Sequence, residues 1–468
     1  MNSRTVSHVV AAIATLLAPD AISAQRSPAA SRAALLTRID SIVSSAMPGT
    51  NAGIQVAVIR GRDTIVMKAY GLADVEHDIP VSAQTVFKIG SVTKQFTSAA
   101  VMQLVEQRKL SLNDTLGRFM PNAPAHWHRV TIRQLLNHTS GIPSFTDVGP
   151  KSRVPRIMGM RRDSIFELLR GDSLMFEPGR GFYYNNTGYY LLGMLVEHLS
   201  GKTYAAYVEE MIKPLGLRGT TYCGGRDIIK HRAHGYDPIG TSWLNTDVVD
   251  MDITFSVGSL CSTARDLVQW ASALTSGRVV NAESFQLMAT PVAIPTVYRM
   301  NYGFALIADS IGRRRTVEHS GNINGFSSNL LTVPRDSLFI AVNINASRAP
   351  ATAISNEIAR AVLGEARVDI TPRVEPISAA ERAKFTGRYR IGEPSGVRRE
   401  YIITEQDEHL TLIVPGGGPP MILERIGKRE FAVRGQSAPR VQFEMSGDTV
   451  AGIVIARGLR PLMGSRVH

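Results

Sequence analysis

Near the start of the chain, the spacing of apolar residues predicts a helix followed by a β-hairpin. Arg32 to Met47 carries apolar residues at helical spacing and is therefore predicted as a helix. Ile54 to Arg60 and Thr64 to Tyr70 are apolar runs rich in β-forming residues. Gly61-Arg62-Asp63 separates the two runs, and these turn residues indicate that the runs pair as a hairpin.

The middle of the chain has mainly helical periodicity, and strand-like runs return after it. Ser91 to Arg108 and Tyr189 to Leu199 are the clearest helical segments. Asn329 to Val333 and Leu338 to Asn343 are strand-like, and a closing helix is indicated by apolar residues every fourth position from Ile354. Strands at both ends with helices between them predict an antiparallel β-sheet flanked by helices, an α+β fold.

The pattern changes again after this unit, which we place at residues 25–365. Residues 366–383 are charged and contain two prolines, and we interpret them as a linker. Residues 384–468 contain three predicted hairpins with turn residues at regular spacing. Such short strands predict a small C-terminal β-barrel or sandwich.

The N-terminus has the layout of a secretory signal peptide. Val9 to Ala18 is apolar except for Thr15, and small residues follow it as far as Ala24. The run is too short to span a bilayer, and no other stretch approaches eighteen apolar residues. We therefore predict a signal peptide at residues 1–24, cleaved near Ala24, a periplasmic or secreted protein, and no transmembrane segment.

Charge and composition exclude several function classes. The 468 residues carry a net charge of +12, but the basic residues are mostly scattered arginines. They form no basic stripe interleaved with aromatics, so we expect no nucleic-acid partner. The histidine pairs at 126/128 and 231/234 lack a third ligand, and we expect no metal or cofactor. The only cysteines, Cys223 and Cys261, leave open whether they pair.

Ser91 and Lys94 form an S-x-x-K pair at the start of a predicted helix. Residues at i and i+3 lie on one helix face, so the two side chains are neighbours. A serine hydroxyl is a poor nucleophile until a base takes its proton, and a lysine can act as that base only when it is partly neutral. This short pattern arises often by chance, and alone it favours an exposed helix start.

Two further segments carry groups that could take part in catalysis. Tyr184 and Asn186 follow a glycine-rich stretch and precede a helix, where a tyrosine hydroxyl can move a proton and an asparagine amide can hold a lysine. His319, Gly321 and Asn322 lie on a strand-like segment. Each segment also has a purely structural interpretation, a capped helix with core aromatics and an edge strand that ends in a turn.

The order of these three motifs resembles the penicillin-recognising serine hydrolases. In particular, it is similar to the group of class C β-lactamases, D,D-carboxypeptidases, D-aminopeptidases and esterases, for which S-x-x-K is a signature. The resemblance covers roughly residues 30 to 365. It implies an antiparallel sheet with a helical subdomain and an active site between them. The C-terminal hairpins resemble the lipocalin-like barrels of some members.

The resemblance also implies roles for individual residues. Ser91 would be the acylated nucleophile, Lys94 its proton acceptor and Tyr184 a second base or proton shuttle. Asn186 would position Lys94 and the substrate. These implied roles describe a hydrolase that acts through an acyl-enzyme on a peptide or small-molecule substrate.

The third motif implies the substrate-binding wall. Gly321 would let the substrate backbone lie against the strand, and the backbone N–H groups of Ser91 and Asn322 would form the oxyanion hole. His319 stands where many β-lactamases have lysine, a variant commoner in the peptidase and esterase members. We therefore expect an exported serine hydrolase acting on amide or ester bonds of D-peptides, small amides or esters. The alternatives are a β-lactamase, or a non-catalytic binder or sensor of cell-wall peptides or β-lactams.

Overall fold

The structure is a computed structural model. It describes residues 28–47, 51–146, 161–224, 227–239, 242–293, 301–366, 374–392, 398–414, 419–434, 440–456 and 462–467. The predicted signal peptide, residues 1–24, lies outside these ranges. Within them, no helix combines the length and the apolar character that crossing a bilayer requires.

The strands of the described residues are numbered in chain order. They are β1 (Ile54–Arg60), β2 (Asp63–Tyr70), β3 (Leu72–Asp74), β4 (Ile79–Pro80), β5 (Phe87–Lys88), β6 (Thr221–Tyr222), β7 (Tyr236–Ile239), β8 (Ser242–Asn245), β9 (Leu260–Ser262), β10 (Ile307–Ile311), β11 (Arg314–Ile323), β12 (Phe326–Val333), β13 (Leu338–Ile344), β14 (Gly387–Gly392), β15 (Arg398–Gln406), β16 (His409–Ile413), β17 (Met421–Gly427), β18 (Glu430–Val433), β19 (Arg440–Ser446), β20 (Thr449–Ala456) and β21 (Leu462–Val467).

The helices of the described residues lie mostly between β5 and β10. The α-helices are Pro28–Ala46, Thr93–Glu106, Leu116–Phe119, Ile132–Leu136, Ser164–Leu169, Asn186–Ser200, Tyr204–Ile212, Met251–Gly258, Ala264–Thr275, Ala282–Ala289, Ala351–Leu363 and Ala379–Phe385. The 3₁₀ helices are Gly90–Val92, Ala125–Trp127, Lys213–Leu215 and Pro334–Asp336.

The main sheet brings strands from both ends of the first unit together. Its order is β10-β11-β12-β13-β1-β2, and neighbouring strands are antiparallel. The predicted hairpin is confirmed as β1–β2, and β1 also pairs with β13, so that Ile54 lies opposite Ile344. The expected α+β fold with an antiparallel sheet is therefore confirmed.

The two faces of the main sheet are covered by different helices because successive strand residues point to opposite sides. Val56 and Ile340 share a buried cluster with Ile39 and Ile358, which lie on the helices Pro28–Ala46 and Ala351–Leu363. Their neighbours in the strands, including Ala57 and Ala341, belong instead to the large cluster formed with the middle helices. The site described below lies on this second side.

The C-terminal strands β14 to β21 form a closed barrel. The three predicted hairpins correspond to the pairs β15–β16, β17–β18 and β19–β20. The sequence interpretation missed β14 and β21, which pair with each other and close the barrel. Closure gives every strand two neighbours and leaves no free sheet edge.

Part of the segment interpreted as a linker is helical. Residues 379–385 form an α-helix that begins with a capping box, in which Ser378 and Glu381 satisfy each other's backbone N–H groups. Phe385, at the end of this helix, is buried in the barrel core against the ring of Phe443. The charged composition of the predicted linker therefore gave no indication of this short amphipathic helix, which packs on the barrel.

The two cysteines are paired. Cys223 and Cys261 form a disulfide with their Cα atoms 5.7 Å apart. Cys261 lies in β9, and β9 pairs with β5, the strand that directly precedes the segment of Ser91. The disulfide thus cross-links the small sheet on which that segment rests.

Candidate active site

The S-x-x-K segment begins with a 3₁₀ turn and continues as an α-helix. The sequence predicted one helix from Ser91, whereas the structure has a 3₁₀ turn at Gly90–Val92 and an α-helix at Thr93–Glu106. Gly90 has a φ of +48°, a conformation that favours glycine, and it lies where strand β5 turns into this helix. The turn leaves Ser91 partly exposed, while Lys94 is fully buried one turn later.

The ammonium group of Lys94 lies at the centre of the site. Its Nζ atom is 3.0 Å from Ser91 Oγ, 3.0 Å from Asn186 Oδ1 and 3.1 Å from the backbone oxygen of Val257. A neutral amine has two N–H bonds and one lone pair. The amide and carbonyl oxygens can only accept, so they take the two N–H bonds of a neutral Lys94. The lone pair is then left facing the hydroxyl of Ser91.

Asn186 is held by its own hydrogen bonds at the start of a helix. Asn185 caps this helix, and the backbone N–H of Asn186 donates to Ser144 Oγ at 3.0 Å. The side-chain amide of Asn186 donates to Thr146 Oγ1 at 3.1 Å, which orients its oxygen toward Lys94. The helix runs over Asn186–Ser200, longer than predicted, and ends at Gly201, whose φ of +69° favours glycine.

The backbone oxygen of Val257, which accepts from Lys94, comes from a kinked helix. Val257 lies in the helix Met251–Gly258, in which Phe255 has a φ of +40° and a non-helical ψ. The guanidinium of Arg162 lies 3.6 Å from the centre of the Phe255 ring, a cation–π contact. The carbonyl group of Val257 lies two residues beyond the kink, in the last turn of the helix, and it accepts from Lys94.

Tyr184 packs beside Lys94 in an aromatic cluster. Its ring centre is 4.9 Å from Lys94 Nζ and 4.4 Å from the ring of His138. Phe182 and Tyr302 complete the buried cluster around it. Tyr184 thus lies beside Lys94, although it comes from a distant part of the chain.

Strand β11 runs directly along the nucleophile segment. A side chain at Gly321 would collide with the backbone oxygen of Ile89, and a Cβ atom at Gly90 would lie 2.9 Å from the backbone nitrogen of Asn322. The hydroxyl of Ser328, opposite Gly321 in the sheet, donates to the oxygen of Ile89 at 2.8 Å. The backbones of Ser91 and Asn322, the two predicted oxyanion-hole residues, therefore belong to two segments in direct contact.

His319 lies on the same strand but is almost completely buried. Its Nε2 atom is 2.9 Å from the hydroxyl of Tyr302, and its Nδ1 atom is 2.6 Å from the backbone oxygen of Ser320. Burial, together with the nearby charge of Lys94, lowers the pKa of His319 to about 3. The residue is therefore a neutral imidazole at pH 7.

Glu318 does not face His319, because the two are consecutive in a strand and point to opposite sides. It is buried on the other face of the sheet, where it accepts a hydrogen bond from Asn329 at 3.0 Å. Burial raises the pKa of Glu318 to about 7, although the Asn329 hydrogen bond acts in the opposite direction. Glu318 accordingly does not raise the pKa of its neighbour.

Several groups of the site could not be found from the motifs. Val257 acts through its backbone oxygen, which any residue type would provide. Tyr302 lies beyond the motifs, although it is fully buried and bonded to His319. His138 also lies outside the three motifs, and its contact with Tyr184 places it at the rear of the site. The only available signal was that buried tyrosine and histidine side chains require hydrogen-bond partners.

The group of possible metal ligands found in the described residues lies outside this site. Asp74, Glu76 and His77 bring their ligand atoms within 4.8 Å of one another after strand β3. Glu76 and His77 are exposed, and Asp74 already accepts from His77 Nδ1 at 2.9 Å. The group shares no residue with the surroundings of Ser91.

Comparison with known proteins places this geometry in a family. The sequence profile described as beta-lactamase matches residues 39–365, more than half of the chain and all the residues of the site. Penicillin-binding protein 4* of Bacillus subtilis (strain 168) is 26% identical over 424 residues, which cover 86% of this chain and 92% of that protein. Protein flp of Staphylococcus aureus (strain MW2) is 28% identical over 326 residues.

The lengths of these matches differ. The alignment with Protein flp covers 67% of this chain and 64% of that protein, so the chain spans less than two thirds of this relative. Among solved structures, a D-stereospecific amidohydrolase from a Streptomyces species is 27% identical with a TM-score of 0.61, over 72% of this chain and 99% of that one.

Proposed function

Since this chain belongs to the beta-lactamase family of serine hydrolases, we propose that it hydrolyses amide or ester bonds through an acyl-enzyme formed on Ser91. The observation that carries the proposal is the position of Lys94, which lies 3.0 Å from Ser91 Oγ while two acceptor oxygens take its other N–H bonds. No metal or cofactor is needed for this chemistry.

The proposed reaction begins when Ser91 Oγ attacks the substrate carbonyl and passes its proton to Lys94. The backbone N–H groups of Ser91 and Asn322 stabilise the oxyanion that forms. The proton returns through Lys94 and Tyr184 to the leaving amine or alcohol, and the bond to the leaving group breaks. Water then attacks the acyl carbon, and its proton passes through Tyr184 and Lys94 to Ser91 Oγ. The bond between Ser91 Oγ and the acyl carbon breaks, and the acid product leaves.

We propose D-configured amides, D-peptides and short esters as the substrates. The similarity to a protein named a D-stereospecific amidohydrolase supports the D-configuration, and the similarity to a penicillin-binding protein is consistent with cell-wall-like peptides. A neutral His319 also favours this choice over β-lactams, because it provides no cation for a β-lactam carboxylate.

We further propose that the protein is exported and built from two domains. The apolar run before Ala24 supports cleavage of a signal peptide and a periplasmic or secreted location. A hydrolase domain at 25–365, a connection at 366–383 and a barrel at 384–468 agree with the separate core clusters of the two parts.

Labelling of the full chain with a fluorophosphonate tests the proposal. We expect a mass increase of one adduct per chain, located on Ser91, and no adduct in the Ser91→Ala variant. A hydrolysis panel then compares the D- and L-forms of amino-acid amides, short-chain esters and a chromogenic cephalosporin. Folded protein that neither labels nor hydrolyses any of these would refute the enzyme and favour a non-catalytic binder of cell-wall peptides.

A further inference from the structure

Three buried side chains form a continuous hydrogen-bonded row behind the proposed catalytic groups. His138 and Tyr302 are fully buried, and His319 is 1% exposed. The hydroxyl of Tyr302 lies 3.1 Å from Nε2 of His138 and 2.9 Å from Nε2 of His319. None of these contacts is used by the acyl-enzyme mechanism proposed above.

The two ends of the row determine the direction of every hydrogen bond in it. At one end, the backbone N–H of Asn185 donates to Nδ1 of His138, so a neutral His138 carries its proton on Nε2. At the other end, Nδ1 of His319 faces the backbone oxygen of Ser320, which can only accept. A neutral His319 therefore carries its proton on Nδ1 and accepts at Nε2.

The hydroxyl of Tyr302 lies between these two ends, with the hydroxyl of Tyr189 nearby. It accepts from His138 Nε2–H, and the Nε2 atom of a neutral His319 accepts the hydroxyl proton of Tyr302. Burial raises the pKa of Tyr302 well above its ordinary value, so its hydroxyl keeps the proton that it donates. A protonated His319 would direct its Nε2–H at Tyr302, which already receives the N–H of His138, and the proton of Tyr302 would have to turn away from His319.

We infer that His138 and Tyr302 are positioning residues that hold His319 as the neutral Nδ1–H tautomer, with both ring nitrogens occupied. His319 then serves as a neutral wall of the site and does not bind a substrate carboxylate directly. The catalytic part of this inference rests on the proposed hydrolysis, whereas the tautomer does not.

The neutral state has a consequence for the proposed base. The groups around His319 are Lys94 from the helix Thr93–Glu106, Tyr184, and the row itself, while Glu318 points to the other face of the sheet. Lys94 is then the basic side chain whose protonation is coupled to that of His319. A positive charge on His319 would lower the proton affinity of Lys94 and change its contact with Ser91. The row prevents that charge from forming.

The variant Tyr302→Phe tests this role through the pH profile of kcat/KM. Without the hydroxyl, Nε2 of His319 loses the donor that stabilises its neutral form, so His319 takes up a proton at a higher pH. We expect the acidic limb of the profile to move up by about one pH unit relative to that of the unchanged protein, the shift that loss of one hydrogen bond produces. Tyr389→Phe is the matched control, because it removes another buried hydroxyl, bonded to Phe385 in the barrel. It should leave the profile unchanged.

Nuclear magnetic resonance of the full chain with ¹⁵N-labelled histidine gives a second measurement that needs no activity. The His319 signal, assigned by its loss in His319→Gln, should report a neutral Nδ1–H ring from pH 8 to pH 5. An Nε2–H ring, a ring that titrates near pH 6.5, or a Tyr302→Phe profile identical to the original would each overturn the inference. If no substrate is hydrolysed, the proposed function fails while the ring signal still decides the tautomer.

Discussion

The backbone of Gly321 lies against the carbonyl group of Ile89, so closely that a single added carbon atom would collide with it. This contact joins the strand of the third motif to the segment that carries the nucleophile. The lack of room for a side chain is a structural reason for glycine at position 321, in addition to any role in substrate binding.

Gly321→Ala should therefore separate the two segments. We expect lower stability by about 1–3 kcal/mol, the usual cost of overpacking, together with loss of fluorophosphonate labelling at Ser91. Thermal unfolding and intact mass measure the two effects. The control is Gly171→Ala, where a Cβ atom meets nothing within 4 Å. Normal labelling of Gly321→Ala would show that the close contact does not position Ser91.

Lys94→Arg should abolish acylation although it keeps the positive charge. A guanidinium does not lose its proton at any accessible pH, so it cannot accept the proton of Ser91. We expect a loss of at least about 10²-fold in kcat/KM, the lower range for removal of a general base. The exposed Lys109→Arg, just beyond the same helix, is the matched control. Near-normal turnover by Lys94→Arg would exclude lysine as the base.

The motifs could be predicted because their residue types are specific to the chemistry they provide. Ser91, Lys94, Tyr184 and His319 all carry ionisable or nucleophilic groups at readable spacing, and the structure brings them together. The carbonyl of Val257 carries no such signal, since its position depends on a kink at Phe255. Tyr302 could not be predicted because its partners are distant in sequence.

The same distinction holds for the fold. Long apolar periodicities predicted the helices and the β1–β2 hairpin, with ends that differ by a few residues. The pairing of β14 with β21 was missed because it joins the two ends of the C-terminal unit and no local turn marks it, although each strand also pairs with its neighbour in sequence, β15 or β20. Barrel closure is a long-range property that hairpin signals do not contain.

Glu318 makes stability depend on pH in a predictable direction. Its pKa is raised from 4.5 to about 7 in the folded protein. The folded state therefore binds more protons than the unfolded state between these values, and stability falls as the pH rises through this window. The unchanged protein should lose about 3 kcal/mol of unfolding free energy between pH 4.5 and pH 8. Glu318→Gln, which can still accept from Asn329, should not show this loss. Urea unfolding of both proteins at the two pH values measures this difference. An equal change in unfolding free energy with pH in the two proteins would contradict the raised pKa of Glu318.

Deletion of residues 368–468 should leave a folded hydrolase. The barrel core is formed by residues from Ile377 onward, and the family profile ends at residue 365. We expect soluble protein with one cooperative unfolding transition and intact labelling at Ser91. Removing only β21 opens the barrel at β14 and β20 and should destabilise the barrel alone. Insolubility of the long deletion, with no effect of the short one, would argue against two independent units.

The last prediction compares a penicillin with a simple ester. Both need only the nucleophile, its base and the oxyanion hole for acylation, and the proposed site contains a candidate for each of these groups. Deacylation differs, because the opened β-lactam ring leaves its amine tethered in the site, where it obstructs the attacking water, whereas an alcohol diffuses away. Fast β-lactamases solve this with a base aimed at that water, in several cases a dedicated glutamate.

His319 adds a second disadvantage for the penicillin. Its ring is neutral and both nitrogens are bonded, so it offers no charge to the β-lactam carboxylate. We expect slow acylation and slower release of the penicillin, next to clear turnover of the ester. Steady-state kinetics of both compounds on one preparation, with the acyl-enzyme followed by intact mass, measure the difference. A kcat/KM of ~10⁶ M⁻¹s⁻¹ for the penicillin, together with a lower kcat/KM for the ester, would identify a β-lactamase. It would also show that a neutral histidine suffices at this position.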